Sequence, residues 1–242
     1  MIQTDQQLTE LLPQLAPVDR IAVDTEADSL HCYYEKLCLV QLSFGGNDYL
    51  IDPLASFDLA PLANALTNKE IVLQGADFDL RLLRRSMNFV ATRIFDTVIA
   101  ARLLGIREFS LAALVEKFFG TVLTKGSQKA NWAQRPLPRH MAEYAMNDTR
   151  YLLPLAEKLE ADLRERGRYE WFQQSCQRQL EQTSVQRCLK HLSSLECARS
   201  WMAMGHTFWP YWGGWGRTSN LPVNSRALCQ LSYTPKMGTH DP

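Results

Sequence analysis

The chain has 242 residues, 46% of them hydrophobic and 21% charged, with Lys+Arg and Asp+Glu both at 26. This length suffices for one sizeable core with room for a small second module, and a zero net charge excludes a generally basic surface, so any polyanion affinity must come from local clustering. The opening "MIQTDQQLTELL" lacks a basic start followed by an apolar stretch, no apolar run approaches the roughly 18 residues that span a bilayer, and none of the six cysteines forms a CxxC pair; the expectation is a cytoplasmic protein with reduced thiols and no membrane partner.

In chain order, "RIAVDTEAD" predicts an apolar strand that turns acidic, "KLCLVQLSFGG" an alternating strand ending in a Gly-Gly turn, and "NDYLIDP" a third short strand, close enough together for an antiparallel meander. "LAPLANALTN" reads as a helix, "EIVLQGA" as a strand and "DLRLLRRSM" as a helix. "RIFDTVIAARLLG" reads as a short strand and then a helix stopped by Gly105, with Asp96 as its cap. "SLAALVEKFFG" is a helix capped by Ser110 and closed by Gly120. "EYAMNDTRYLLPLAEKL" (143–159) reads as one further helix, in which Leu152, Leu155 and Leu159 mark an apolar stripe. This order predicts an α/β fold, a mixed β-sheet flanked by helices. Beyond residue 170, "WFQQSCQRQLEQTSVQRCLKHL" extends the helices, and the stretch holding Trp201, Trp209, Trp212 and Trp215 has no sustained period. It reads either as a docking patch or as an aberrant or truncated terminus.

Acids recur where these elements end. Asp24 and Glu26, two apart on a strand, project from one face, where like charges raise each other's pKa unless a cation intervenes. A lone DxE also reads as a solvated acidic turn. Asp79, with Asp77 as competitor, lies where a strand gives way to a helix, a place suited to ligands and equally to helix capping. Tyr144 and Asp148 are one helical turn apart, and stepping back by fours from Leu152 lands on both. A carboxylate on a core-facing line calls for a cation. Four carboxylates suit magnesium or manganese, whereas zinc prefers His and Cys. Cys188, His191, Cys197 and His206 are zinc-ligand types, but their spacings fit no zinc module.

Together, DxE, D and YxxxD resemble the DEDD superfamily of 3′–5′ exonucleases, in its tyrosine-bearing (DEDDy) branch, and most closely ribonuclease D. The resemblance spans about residues 18 to 165 and includes "DTEADSLHCYYEKLCLVQLSF", "GADFDLRLL", "FDTVIAARLLG" and "NWAQRPLPRHMAEYAMNDTRYLLPL". It implies an RNase H-like exonuclease domain over 1–170 and a helical or irregular segment over 171–242, short or aberrant beside the HRDC domains that usually follow in ribonuclease D. It also implies catalytic roles for Asp24, Glu26, Asp79, Tyr144 and Asp148, and two divalent cations, Mg2+ or Mn2+, with no small-molecule cofactor. One ion would be held by Asp24, Glu26 and Asp148, the other by Asp24 with Asp79 reaching it partly through water. Tyr144 would orient the attacking water, because a phenol with a reference pKa of about 10 is a poor base at neutral pH.

From Lys117 to Ala142 there is no Asp or Glu, while Lys117, Lys125, Lys129, Arg135 and Arg139 fall there with Trp132 among them. A basic run with an interleaved aromatic suits a single-stranded backbone and a stacked base, so Lys125, Lys129, Trp132 and Arg135 are candidate nucleic-acid contacts. A solvated loop with Trp132 in the core is the alternative. Lys36 joins the set because the family tends to keep a basic residue there, and an ordinary surface lysine is its alternative. The resulting expectation is a metal-dependent 3′–5′ exoribonuclease acting on single-stranded RNA 3′ ends, with tRNA precursors as the family-implied substrate. Single-stranded DNA exonuclease activity and a non-catalytic RNA-binding module are the competing readings.

Overall fold

The computed structural model describes residues 1–28, 35–123, 126 and 130–191; the side chains of Cys188, His191, Cys197 and His206, the Trp-rich stretch, Lys125 and Lys129 lie outside the described set. The chain opens with helix α1 (Asp5–Leu15), capped by the Thr4 side chain. Its buried Leu8, Leu11 and Leu15 recur at helical spacing, a pattern present in the sequence but masked by the run of polar residues around it. Strands β1 (Arg20–Ala27), β2 (Leu37–Phe44) and β3 (Asn47–Ile51) form the antiparallel meander expected. Gly45 and Gly46, at φ of 58° and 77°, make the two-residue turn between β2 and β3, a conformation that other residues adopt only with strain.

After helix α2 (Ala60–Leu66), strand β4 (Glu70–Leu73) returns beside β1 in parallel, helix α3 (Asp77–Met87) follows, and β5 (Arg93–Asp96) adds parallel to β4. The sheet order is β3–β2–β1–β4–β5, so the acid-bearing strand lies at its centre. All eight residues of β2 are buried, which requires cover on both faces. On β2 that cover comes from α6 (Arg139–Arg150) and α3, while α4 (Thr97–Leu103), α7 (Leu152–Glu165) and α8 (Tyr169–His191) pack on β1, β4 and β5, and α5 (Leu111–Phe119) packs on α7. α8 packs on β5, α3 and α4, burying Phe172 and Cys176, so the compact unit runs from Met1 to His191.

The expected single helix over 143–159 is two. α6 ends at Arg150 and α7 begins at Leu152, hinged at Tyr151 (φ −93°, ψ −9°). Pro154 supplies the reason: it has no N–H to bond the Arg150 carbonyl, so the ladder cannot run through. Leu152, Leu155 and Leu159 are fully buried as the stripe implied, but they belong to α7, whereas Tyr144 and Asp148 belong to α6.

The loop ahead of α6 is tied down by Arg135. Its Nε and Nη2 donate to the two Asp52 carboxylate oxygens at 2.8 and 2.7 Å, and its remaining donors meet the carbonyls of Cys38, Trp132 and Gln134. Burial acts to raise the Asp52 pKa, but hydrogen bonds from Arg135 and Gln3 outweigh it and hold the carboxyl below its usual range. Removing one partner of a pair this enclosed leaves the other desolvated and uncompensated. Arg135→Ala is therefore expected to cost about 3 kcal/mol of stability, measured by chemical denaturation.

Candidate functional site

The site is assembled from β1, the β4–α3 turn and α6. In β1, Asp24 and Glu26 share one face by the two-residue period, as the sequence implied. α6 packs across β1, β2 and β3, and its half-buried Asp148 comes down over them. Carboxylate oxygens of Asp24, Glu26 and Asp148 lie within 4.8 Å of one another. Asp79 stands outside this trio, in the first turn of α3, and accepts a hydrogen bond from the Thr25 hydroxyl. It is still near enough to raise the pKa of both Asp24 and Glu26. Asp77, the competing acid, instead pairs with Arg81 one helical turn along.

Two polar networks hold these pieces in place. Asp96 caps α4 through the Val98 and Ile99 amides, as expected, and also accepts from the amides of Gly75 (3.1 Å) and Ala76 (2.8 Å), which fixes the turn that launches α3. At the other end, Ser43 Oγ lies 2.6 Å from Asp48 Oδ1 and 2.7 Å from Thr149 Oγ1. With one proton to give, Ser43 donates to the carboxylate and accepts from Thr149, pinning α6 beside Asp148. Arg150 Nε closes the network on Asp48 Oδ2 at 2.7 Å. Neither Thr25 nor this second network was anticipated. The only trace of Thr25 in the sequence is its position inside the DxE, and the second network joins residues about a hundred positions apart.

The electrostatics are those of a site made for positive charge. Burial, then the neighbouring Asp79, Asp148 and Glu26, push the Asp24 carboxyl well above its usual range. Burial and the charges of Asp148 and Asp79 raise Glu26 to about 9. Asp79 and Asp148 rise to about 7, chiefly by burial, against hydrogen bonds from Thr25 and Tyr144 respectively that act to lower them. None of the four has a salt-bridge partner among the described residues. An all-oxygen donor set with converging, uncompensated negative charge fits hard divalent cations and not zinc. Tyr144 reaches this cluster through its hydrogen bond to Asp148.

The candidate nucleic-acid contacts fare differently. Trp132 is 1% exposed, clustered with Leu39, Met141 and Ala145, with its ring 6.2 Å from that of Tyr144. It packs beneath the tyrosine instead of presenting a face to a base, and the Arg135 guanidinium is taken up by Asp52 and three carbonyls. Among the described candidates only Lys36 is exposed; it borders a surface hollow of about 580 Å³ together with Phe57 and Arg85.

A family profile described as 3′–5′ exonuclease matches residues 1–164. The chain belongs to that 3′–5′ exonuclease family. It is 35% identical over 176 residues to ribonuclease D of Zymomonas mobilis, covering 71% of this chain and 45% of that protein. It is 34% identical over 173 residues to mouse exosome complex component 10, covering 70% of this chain and 20% of that protein. The crystal structure of Escherichia coli RNase D, described as an exoribonuclease involved in structured RNA processing, superposes with a TM-score of 0.71 at 31% identity, over 76% of this chain and 50% of that one. The chain thus spans half or less of the length of these relatives. The RNase H-like fold inferred from the sequence is the one observed.

The raised acids set a pH signature for the metal-free protein. Unfolded carboxyls ionise near pH 4, whereas folded Asp79 and Asp148 hold their protons to about 7 and Glu26 to about 9. Between those limits the folded state binds more protons, so stability falls as pH rises. Melting temperature in EDTA is expected to decline from pH 5 to pH 9, and Asp148→Asn to flatten the decline. Added Mg2+ should raise it more at pH 8 than at pH 5, since ions displace protons.

Proposed function

We propose that this protein is a metal-dependent 3′–5′ exoribonuclease that hydrolyses phosphodiester bonds from RNA 3′ ends, in RNA processing or turnover. The observation that carries the reading is the convergence of Asp24, Glu26 and Asp148 within 4.8 Å, with Asp79 beside them and Tyr144 bonded to Asp148. Family membership and the likeness to RNase D along most of the domain support it. Two Mg2+ or Mn2+ ions are the proposed complement. Bound ions would supply a water acidic enough to ionise near neutral pH and would neutralise charge on the phosphate and on the departing 3′ oxygen.

The chain's own residues do the rest. Asp24, Glu26 and Asp148 would hold one ion, and Asp24 with Asp79 the other, so the charges that now raise one another's pKa become ligand charge. Thr25 keeps Asp79 in orientation through its hydroxyl. Tyr144, anchored on Asp148 and packed at a tilt against the buried Trp132, would place its hydroxyl beside the attacking water. Trp132 in this reading supports the tyrosine from below. Lys36, exposed just ahead of β2, remains available for phosphate contact, and single-stranded RNA, including tRNA precursors, is the proposed substrate in the cytoplasm.

An RNA oligonucleotide with a free 3′ hydroxyl should shorten from that end with Mg2+ or Mn2+ and stay intact in EDTA; retention without shortening would leave only a binding module. A DNA oligonucleotide in parallel reports how far the 2′-hydroxyl is read. Asp24→Asn and Asp148→Asn are expected to abolish shortening while keeping the fold. Tyr144→Phe should lower kcat by about a hundredfold without changing metal affinity, and weakened metal binding in that variant would assign Tyr144 a structural role instead.

A further inference from the structure

Gln41 is fully buried, at 0% exposure, and neither its Nε2 nor its Oε1 has a hydrogen-bond partner among the described residues. Buried amides are rarely left this way, because desolvation of two donors and an acceptor is costly, and an orphaned group of this kind commonly marks a water, an ion or a functional partner. Its position singles out the partner. Gln41 on β2 is the register mate of Asp24 on β1. Cross-strand mates in an antiparallel pair point to the same face with Cβ atoms about 5 Å apart. Leu39 and Ser43 flank it on that face, the first facing Glu26 and the second Ala22. Leu39 is apolar, and the Ser43 hydroxyl is already committed to Asp48 and Thr149. Among these strand neighbours, the polar group that remains beside Gln41 is the Asp24 carboxylate.

We propose that Gln41 is a positioning residue for the ion site, its Nε2 donating to the Asp24 carboxylate through one ordered water, and so holding Asp24 in the orientation that both ions share. This inference deepens the nuclease reading and rests on it. An acid expected to serve two ions has to keep its two oxygens in fixed directions, and a side-chain amide can do this without adding charge to a crowded site. Outer partners of this kind orient metal ligands and are worth roughly 10- to 100-fold in metal affinity.

Gln41→Met, nearly the same in shape, tests the proposal on the full chain, with Gln41→Leu as a second variant. The melting temperature in EDTA should stay the same or rise, since a buried amide whose Oε1 has no partner among the described residues gives way to an apolar side chain of similar volume. Mn2+ affinity by isothermal titration calorimetry should fall roughly 10- to 100-fold. A residue serving only the core would do the reverse, lowering the melting temperature and leaving Mn2+ affinity unchanged, and that result overturns the proposal. So does failure of both variants to fold. Wild type and Asp24→Asn titrated alongside separate the two levels: an unmodified protein that binds no Mn2+ sinks the nuclease reading itself, whereas Mn2+ binding that is lost with Asp24 but untouched in the Gln41 variants sinks this inference alone.

Discussion

The central constraint is mutual repulsion. Asp24, Glu26 and Asp148 share one side of a buried surface with Asp79 close by, and no cation of the protein is paired with them among the described residues. Left to itself, such a cluster would splay or stay protonated. The surrounding structure prevents the first and accepts the second. Asp24 and Glu26 are fixed because β1 is the central strand, paired antiparallel to β2 and parallel to β4. Asp79 is fixed because Asp96 grips the turn ahead of α3 and Thr25 grips the carboxyl itself. Asp148 is fixed because Ser43, Thr149, Asp48 and Arg150 lock the end of α6 onto β2 and β3. What results is a preorganised negative pocket whose unfavourable self-energy becomes favourable once positive charge arrives.

The same logic separates the basic residues into two kinds. Arg135 neutralises the buried Asp52 and ties the loop before α6 to the sheet, so its charge is spent inside the protein. Arg20 bridges Glu70 and Glu160, joining the edges of β1 and β4 to α7. Lys36, by contrast, stands exposed beside a hollow. A count of positive charge along a segment cannot make this distinction, because it depends on which acid the fold brings near, and Asp52 is 83 residues from Arg135 in the chain.

That also explains what was legible in the sequence. The Asp24–Glu26 pair and the Tyr144–Asp148 pair could be read because strand and helix periods fix which side chains are neighbours, whatever the tertiary fold. Asp79 could be read from the change of element around it. The capping roles of Asp96 and Ser110 were local and therefore visible. α1 is hard to see because polar residues surround the helical period of Leu8, Leu11 and Leu15, and the break at Tyr151 is marked only by Pro154 within an otherwise continuous helical pattern. Thr25, Gln41 and the Ser43–Thr149 contact were hidden for a different reason: each acquires meaning only through a partner supplied by another strand or helix.

The joint at Tyr151 bears on how the molecule is put together mechanically. Since no hydrogen-bond ladder crosses it, bending or strain borne by α7 and α8 ends there and does not pass along a rigid rod into α6. α6, which carries Tyr144 and Asp148, takes its bearings from β1, β2 and β3, while α7 and α8 are held by their own packing on β1, β4, β5 and α4. Changes along α7 and α8 therefore need not turn the helix that bears Tyr144 and Asp148.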